Sequence, residues 1–111
     1  MSLNFTHIQG DTFEDVNFAV VKNAIALSLT GAIIKMQLKK ECGGIPILSF
    51  TSVASAGITI TNAAGGLFKI NKQIINIPEF NYVYDIEITF SNGDVKTWVE
   101  GNFTVNCDIT R

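Results

Sequence analysis

An all-β, antiparallel sandwich of about seven or eight strands is the fold this sequence predicts. Three observations predict it: a long alternating hairpin near the C-terminus, short alternating segments between turn signals spaced roughly eight to twelve residues apart, and no convincing helical period.

The hairpin spans Asn81 to Thr110. Tyr82, Tyr84, Ile86, Ile88 and Phe90 share one parity, while Val83, Asp85, Glu87 and Thr89 take the other. Period-two alternation is the mark of a half-buried strand. Ser91-Asn92-Gly93-Asp94 follows, and Asn-Gly favours a two-residue type I′ turn, which needs positive φ at both central residues. The returning arm places Val95, Val99, Phe103, Val105, Cys107 and Ile109 on the core face. A two-residue loop sets Phe90 against Val95, Ile86 against Val99, Tyr82 against Phe103 and Tyr84 against Gly101. Outside, Glu87 meets Trp98 and Asp85 meets Glu100.

The earlier elements follow in order. Phe5 to Gly10 is a short apolar–polar mixture, and Asp11-Thr12 suits a bend. Val16, Phe18 and Val20 alternate to about Val21, before a tight turn at Lys22-Asn23-Ala24 in which Asn23 tolerates a left-handed conformation. Ile25, Leu27 and Leu29 alternate again until Thr30-Gly31. A helix over 23–37 is the competing reading, but β-branched residues and Gly31 disfavour it. Ala32 to Lys39 is a strand, 40–44 a loop, and Ile45 to Phe50 an apolar run whose Pro46 belongs at an edge or a strand start. Ile58 and Ile60, then Phe68 and Ile70, mark two more strands around the turn Asn62 to Gly66. That turn lacks the lysine, serine and following helix of a phosphate-binding loop. Residues 72–78, with Ile74, Ile75 and Ile77, read as a crossover or a further strand. An immunoglobulin-like topology is the favoured arrangement, and Gly101 marks a bulge or bend in the long last strand.

With 111 residues the chain reads as a single domain, 1–111, able to bury roughly 60–70% of its unfolded surface. Its 47% hydrophobic and 16% charged residues suit a globular protein and argue against disorder, and a net charge of −2 gives no electrostatic reason to expect nucleic acid or an anionic membrane. No apolar run approaches the roughly 20 residues of a membrane helix. The start, Met1 to His7, shows neither a basic nor an apolar signal region, so no secretory leader is expected. Cys42 and Cys107 then read as reduced thiols in preference to a disulfide, and His7 is the only histidine they could share a metal with.

No catalytic, metal or cofactor-binding set is expected. Asp11, Asp15, Asp85 and Glu100 show no spacing that favours an acid–base pair. Asp85 opposite Glu100 sets like charges across a ladder, to be relieved by solvent or by a lysine such as Lys39. Asn4-Phe5-Thr6 and Asn102-Phe103-Thr104 match the glycosylation acceptor pattern by coincidence of composition. Trp98 falls on the polar side of its strand, where it either packs beneath a loop or anchors an interface, with Glu87 and Lys96 as a polar rim.

Several segments together resemble a known family. Gln9-Gly10-Asp11-Thr12, Leu29-Thr30-Gly31-Ala32, Gly66-Leu67-Phe68-Lys69-Ile70, the run Tyr82 to Ile88, and Gly101-Asn102-Phe103-Thr104-Val105 look like the strand signatures of phage baseplate upper protein N-terminal domains and related tail-associated modules. Ser28 stands where that pattern usually carries an aspartate. The resemblance implies an immunoglobulin-like structural module of a phage or prophage tail or baseplate. Such a module is not an enzyme, is made in the bacterial cytoplasm and is carried in the virion. Its expected partners are other tail or baseplate proteins or further copies of itself, with no nucleic acid, membrane or cofactor. A carbohydrate- or ligand-binding sandwich, as in an accessory or adhesin domain, is the alternative, with Trp98 as its sugar-stacking residue.

Overall fold

Alternation at period two becomes strand along most of the chain in the structure, a computed structural model that describes residues 2–109. In chain order the strands are β1 (Phe5–Ile8), β2 (Thr12–Phe13), β3 (Val16–Ala19), β4 (Val21–Lys22), β5 (Ile25–Ala26) and β6 (Ile33–Lys39). They continue with β7 (Pro46–Thr51), β8 (Ile58–Asn62), β9 (Leu67–Ile70), β10 (Gln73–Ile74), β11 (Phe80–Thr89) and β12 (Val95–Asn106). A single 3₁₀ turn, Val53–Ser55, is the only helical element among the described residues, so the segment read against a helix is strand and turn.

The main sheet has the order β1-β12-β11-β6-β7, and a three-stranded sheet has the order β3-β9-β8. Two short pairs, β10-β2 and β4-β5, complete the all-β fold. One face of the main sheet supplies Ile34, Met36, Leu38, Tyr82, Tyr84, Ile86, Ile88, Val99 and Phe103 to the core. Phe18, Ile58, Phe68 and Ile70 of the three-stranded sheet join them in the same cluster, with Val20, Leu29, Ile75 and Ile77 between elements. Pro46 begins an edge strand, where its missing N–H costs no ladder bond.

The hairpin differs from expectation at its tip. Gly93 N–H donates to Phe90 O at 2.9 Å, and Phe90 N–H to Asp94 O at 2.8 Å. The loop is therefore Ser91-Asn92-Gly93, a type I turn closed by a left-handed residue, with Gly93 at φ 93°. Asn92 is not left-handed; its Oδ1 instead accepts Asp94 N–H at 2.9 Å. Val95 thus faces Thr89 rather than Phe90. A second one-residue shift between Ile86 and Glu87 leaves Trp98 as the extra residue, so Glu87 faces Thr97 instead of Trp98. The two shifts cancel, and beyond them Ile86↔Val99, Asp85↔Glu100, Tyr84↔Gly101 and Tyr82↔Phe103 pair as expected. Val95, Cys107 and Ile109 are exposed, because the altered register and the end of β12 at Asn106 take them off the core face. The type I′ geometry appears instead at Asn23-Ala24, with φ of 53° and 63°, joining β4 to β5.

Sequence reading assigned β1 no partner, yet it lies parallel to β12. The two Asn-Phe-Thr triplets run side by side, with Phe5↔Phe103 and Thr6↔Thr104, and Asn4 Oδ1 accepts Asn102 N–H at 2.9 Å. Gly101 carries no bulge. It leaves room for the crossing chain, since a β-carbon there would overlap the Leu3 carbonyl. Leu3 N–H donates to Glu100 O at 2.9 Å, and Tyr84 Oη donates to Leu3 O at 2.5 Å. Phe5 then packs on Phe13, Tyr84 and Phe103 with ring centroids 5.5–5.6 Å apart.

Gly101→Ala is expected to destabilise the fold by roughly 1–3 kcal/mol, read by urea denaturation, through overpacking against Leu3. Burial pushes the Tyr84 phenol up to about 12 and also raises Tyr82. The folded chain therefore holds these protons more tightly than the unfolded chain. Their contribution is intact below the ordinary tyrosine value near 10, and is lost as pH rises towards 12. Tyr84→Phe should flatten that alkaline loss in denaturation curves recorded from about pH 9 to about pH 12, with residual slope from Tyr82.

Candidate functional site

Bulged strands re-aim side chains, and the bulge at Trp98 does so here. Without it Trp98 would point to the polar face; with it, Trp98 and Val99 in succession reach the core, Val99 buried and Trp98 half-buried against the cluster. The expectation of a polar-side tryptophan is thereby corrected. Opposite stands the β4-β5 arm, which Leu27 N–H anchors to Val20 O at 2.8 Å and Val20 N–H anchors to Gly66 O at 2.8 Å. Gly66 is required there, because a β-carbon would press on the Leu27 and Val20 carbonyls.

Between the arm and the hairpin tip lies a cleft of about 550 Å³. Trp98, Phe90 and Leu27 supply its apolar lining, and Lys22, Ser28, Asn92, Asp94, Lys96 and Thr97 supply polar groups. Its size falls within the range of small-ligand sites, which pair an apolar lining with a few polar groups. The charges are asymmetric. Asp94 Oδ2 accepts Asn92 Nδ2 at 3.2 Å, whereas the ion pairs found among the described residues belong to Lys69 with Asp15 and Lys72 with Glu14. Lys22 and Lys96 therefore face the cleft without a described carboxylate partner. Ser28 Oγ donates to Thr30 Oγ1 at 3.0 Å, and neither histidine nor cysteine lines the cleft. The arrangement suits non-covalent capture of a flat or apolar group.

Of the three expected interface residues, Trp98 and Lys96 share this cleft and Glu87 does not. Glu87 pairs with Lys35 on the solvent face of β11 and β6. Sequence reading missed Lys22, Leu27, Ser28 and Phe90 as cleft residues, because only the β4-β5 arm brings them across from the hairpin tip. The four acids do not gather. Asp15 accepts Lys72 N–H, Asp11 O accepts Ile75 N–H, and only Asp85 and Glu100 are neighbours. Asp85 also lies beside Gln37, with Lys35 and Lys39 at its two diagonals. No cluster of three or more potential metal ligands occurs among the described residues. His7 is buried, with Nε2 3.2 Å from Ile75 O. Cys42 and Cys107 are both free and exposed.

No family model matches the chain, and no curated protein matches it in sequence.

Trp98→Ala should lower stability by about 2 kcal/mol, less than for a fully buried aromatic ring, because Trp98 is only half-buried. Lys96→Ala should stay within about 0.5 kcal/mol of the parent in the same urea titration, as expected for a surface change.

Proposed function

We propose that this chain is a non-enzymatic structural module of a phage or prophage tail or baseplate, built as an immunoglobulin-like β-sandwich and acting through protein–protein contacts. The observation that carries the contact role is the Trp98 cleft. A tryptophan held half-buried by a strand bulge, beside Phe90 and beneath a separate two-strand arm, is a preformed receptor for an apolar side chain of a partner. Lys22 and Lys96 add a cationic rim that favours an acidic partner segment. The tail or baseplate assignment comes from the strand signatures around Leu29-Thr30-Gly31-Ala32, Tyr82 to Ile88 and Gly101 to Val105. In this reading the chain is made in the bacterial cytoplasm and carried in the virion beside other tail or baseplate proteins.

The cleft also supports a second reading, capture of a sugar. A pyranose ring would stack on Trp98 while Asn92, Ser28 and Thr97 take its hydroxyls. The two readings separate experimentally. Particles purified from the phage or prophage that encodes the chain should contain it at fixed stoichiometry by quantitative mass spectrometry. Incorporation of Trp98→Ala should fall at least about fivefold, the scale of a lost contact anchor. Absence from purified particles, together with saturable binding in a glycan screen that Trp98→Ala abolishes, would establish the sugar reading instead.

A further inference from the structure

Asn92-Gly93 is the only asparagine–glycine pair in the chain. The side-chain amide of an asparagine is open to attack by the backbone nitrogen of the next residue, and a β-carbon on that residue stands in the way. Every other asparagine precedes a residue with a β-carbon, Ala24 and Ala63 being the smallest of these. Gly93 leaves Asn92 without that obstruction. Its surroundings are open as well, since nothing beyond its chain neighbours lies within 4 Å of where its β-carbon would stand. Gly66 and Gly101 are instead pressed against backbone carbonyls.

The hairpin tip presents this pair to solvent. Ser91, Asn92, Gly93 and Asp94 are all exposed, and the ladder of β11 with β12 begins below them at Thr89↔Val95. One backbone bond, Gly93 N–H to Phe90 O at 2.9 Å, occupies the nitrogen that would attack. Opening it disturbs no rung of the ladder, so it belongs with the low-cost local openings of an exposed turn. The amide is already held by its other neighbour. Asp94 N–H donates to Asn92 Oδ1 at 2.9 Å, where negative charge develops as nitrogen adds to the amide carbon. Nδ2, the leaving group, donates to Asp94 Oδ2 at 3.2 Å.

We propose that Asn92 is a self-modification site, converted to aspartate and isoaspartate through a cyclic imide with water as the only co-reactant. Gly93 N loses its proton to solvent and bonds to Asn92 Cγ. The Cγ–Nδ2 bond breaks, and Nδ2 leaves as ammonia after taking a proton back from solvent. Water then opens the ring at one of its two carbonyl carbons, and nothing is oxidised or reduced. Opening at Cγ gives aspartate with the original backbone. Opening at the Asn92 backbone carbonyl gives isoaspartate, in which the chain runs through the former side chain.

Either product sets a carboxylate at position 92, beside Asp94 and among the residues that line the Trp98 cleft. The Nδ2 donor to Asp94 is lost, and two like charges stand where one hydrogen bond stood. Lys22 and Lys96 then share the cleft with two acids in place of one. The charge of the cleft therefore changes with the age of the chain. Isoaspartate also lengthens the loop between Phe90 and Asp94 by a methylene group, at the turn whose offset the Trp98 bulge cancels. The site stands on the geometry of the tip alone, independent of the virion role and of any partner in the cleft.

Storage of the full chain in mildly alkaline buffer, sampled over several days by ion-exchange chromatography and by peptide mapping with mass spectrometry, tests it. The expected result is an acidic species that grows with time and carries aspartate and isoaspartate at position 92. Conversion there should run at least about tenfold faster than at Asn23 or Asn62, which are also exposed but precede alanine, a difference of about 1.4 kcal/mol in barrier. Raising the pH should speed it, because Gly93 N must lose its proton. Asn92→Ser, shown to be folded by circular dichroism, should form no such species. An acidic species that grows equally in Asn92→Ser, conversion spread evenly over Asn23, Asn62 and Asn92, or an Asn92 amide that survives in the folded chain while it converts in guanidinium chloride would each overturn the proposal.

Discussion

The register between β11 and β12 is the constraint on which the rest of the structure depends. These strands form the centre of the main sheet, and β1 and β6 are laid down on either side of them. A one-residue shift at the Gly93 turn throws the tip out of the simplest pairing, and the bulge at Trp98 restores it. Had only one shift occurred, every inward side chain of the far half would face solvent, because strand side chains alternate. Tyr84 would then lose Gly101 as its cross-strand neighbour, and the crossing of Leu3 over that glycine would lose its fit. Core, N-terminal strand and cleft thus share one cause.

Much of this was legible in the sequence, and the exceptions have identifiable physical origins. Strong alternation exposed the central strands, Gly31 marked the approach to β6 and Pro46 the start of the edge strand β7, since proline and glycine act through the local backbone. Four pairs of the hairpin were readable for a subtler reason, namely that the two shifts cancel. The turn type was not, because Asn-Gly satisfies both a two-residue loop and a three-residue loop in which only glycine is left-handed. The parallel pairing of β1 with β12 joins residues far apart in sequence, and a four-residue strand has too little pattern to announce its partner. The repeated Asn-Phe-Thr triplet was visible, but as a modification pattern rather than as the paired rows it forms. Trp98 stands at a polar-parity position in the sequence, whereas the bulge that turns it inward and the β4-β5 arm that completes the cleft are linked to it by no local pattern.

The molecule divides its surface by chemistry. The solvent face of β11 and β6 carries interleaved charges, with Glu87 against Lys35 and Asp85 between Lys35 and Lys39. Such a face keeps a sheet soluble and contributes little to stability. The hairpin end concentrates an aromatic group and two lysines in one cleft. The β7-β8 flank carries no charge.

Because the Trp98 bulge both resets the register and builds the cleft, nuclear Overhauser contacts along the hairpin test the structure most directly. The expected pattern is cross-strand backbone contacts for Thr89 with Val95, Glu87 with Thr97 and Ile86 with Val99, together with indole contacts from Trp98 into the buried core cluster. Contacts pairing Phe90 with Val95 and Glu87 with Trp98, with the indole directed to the Lys35 face, would show an unbulged hairpin. In that case the cleft, and the contact role built on it, would have no structural basis.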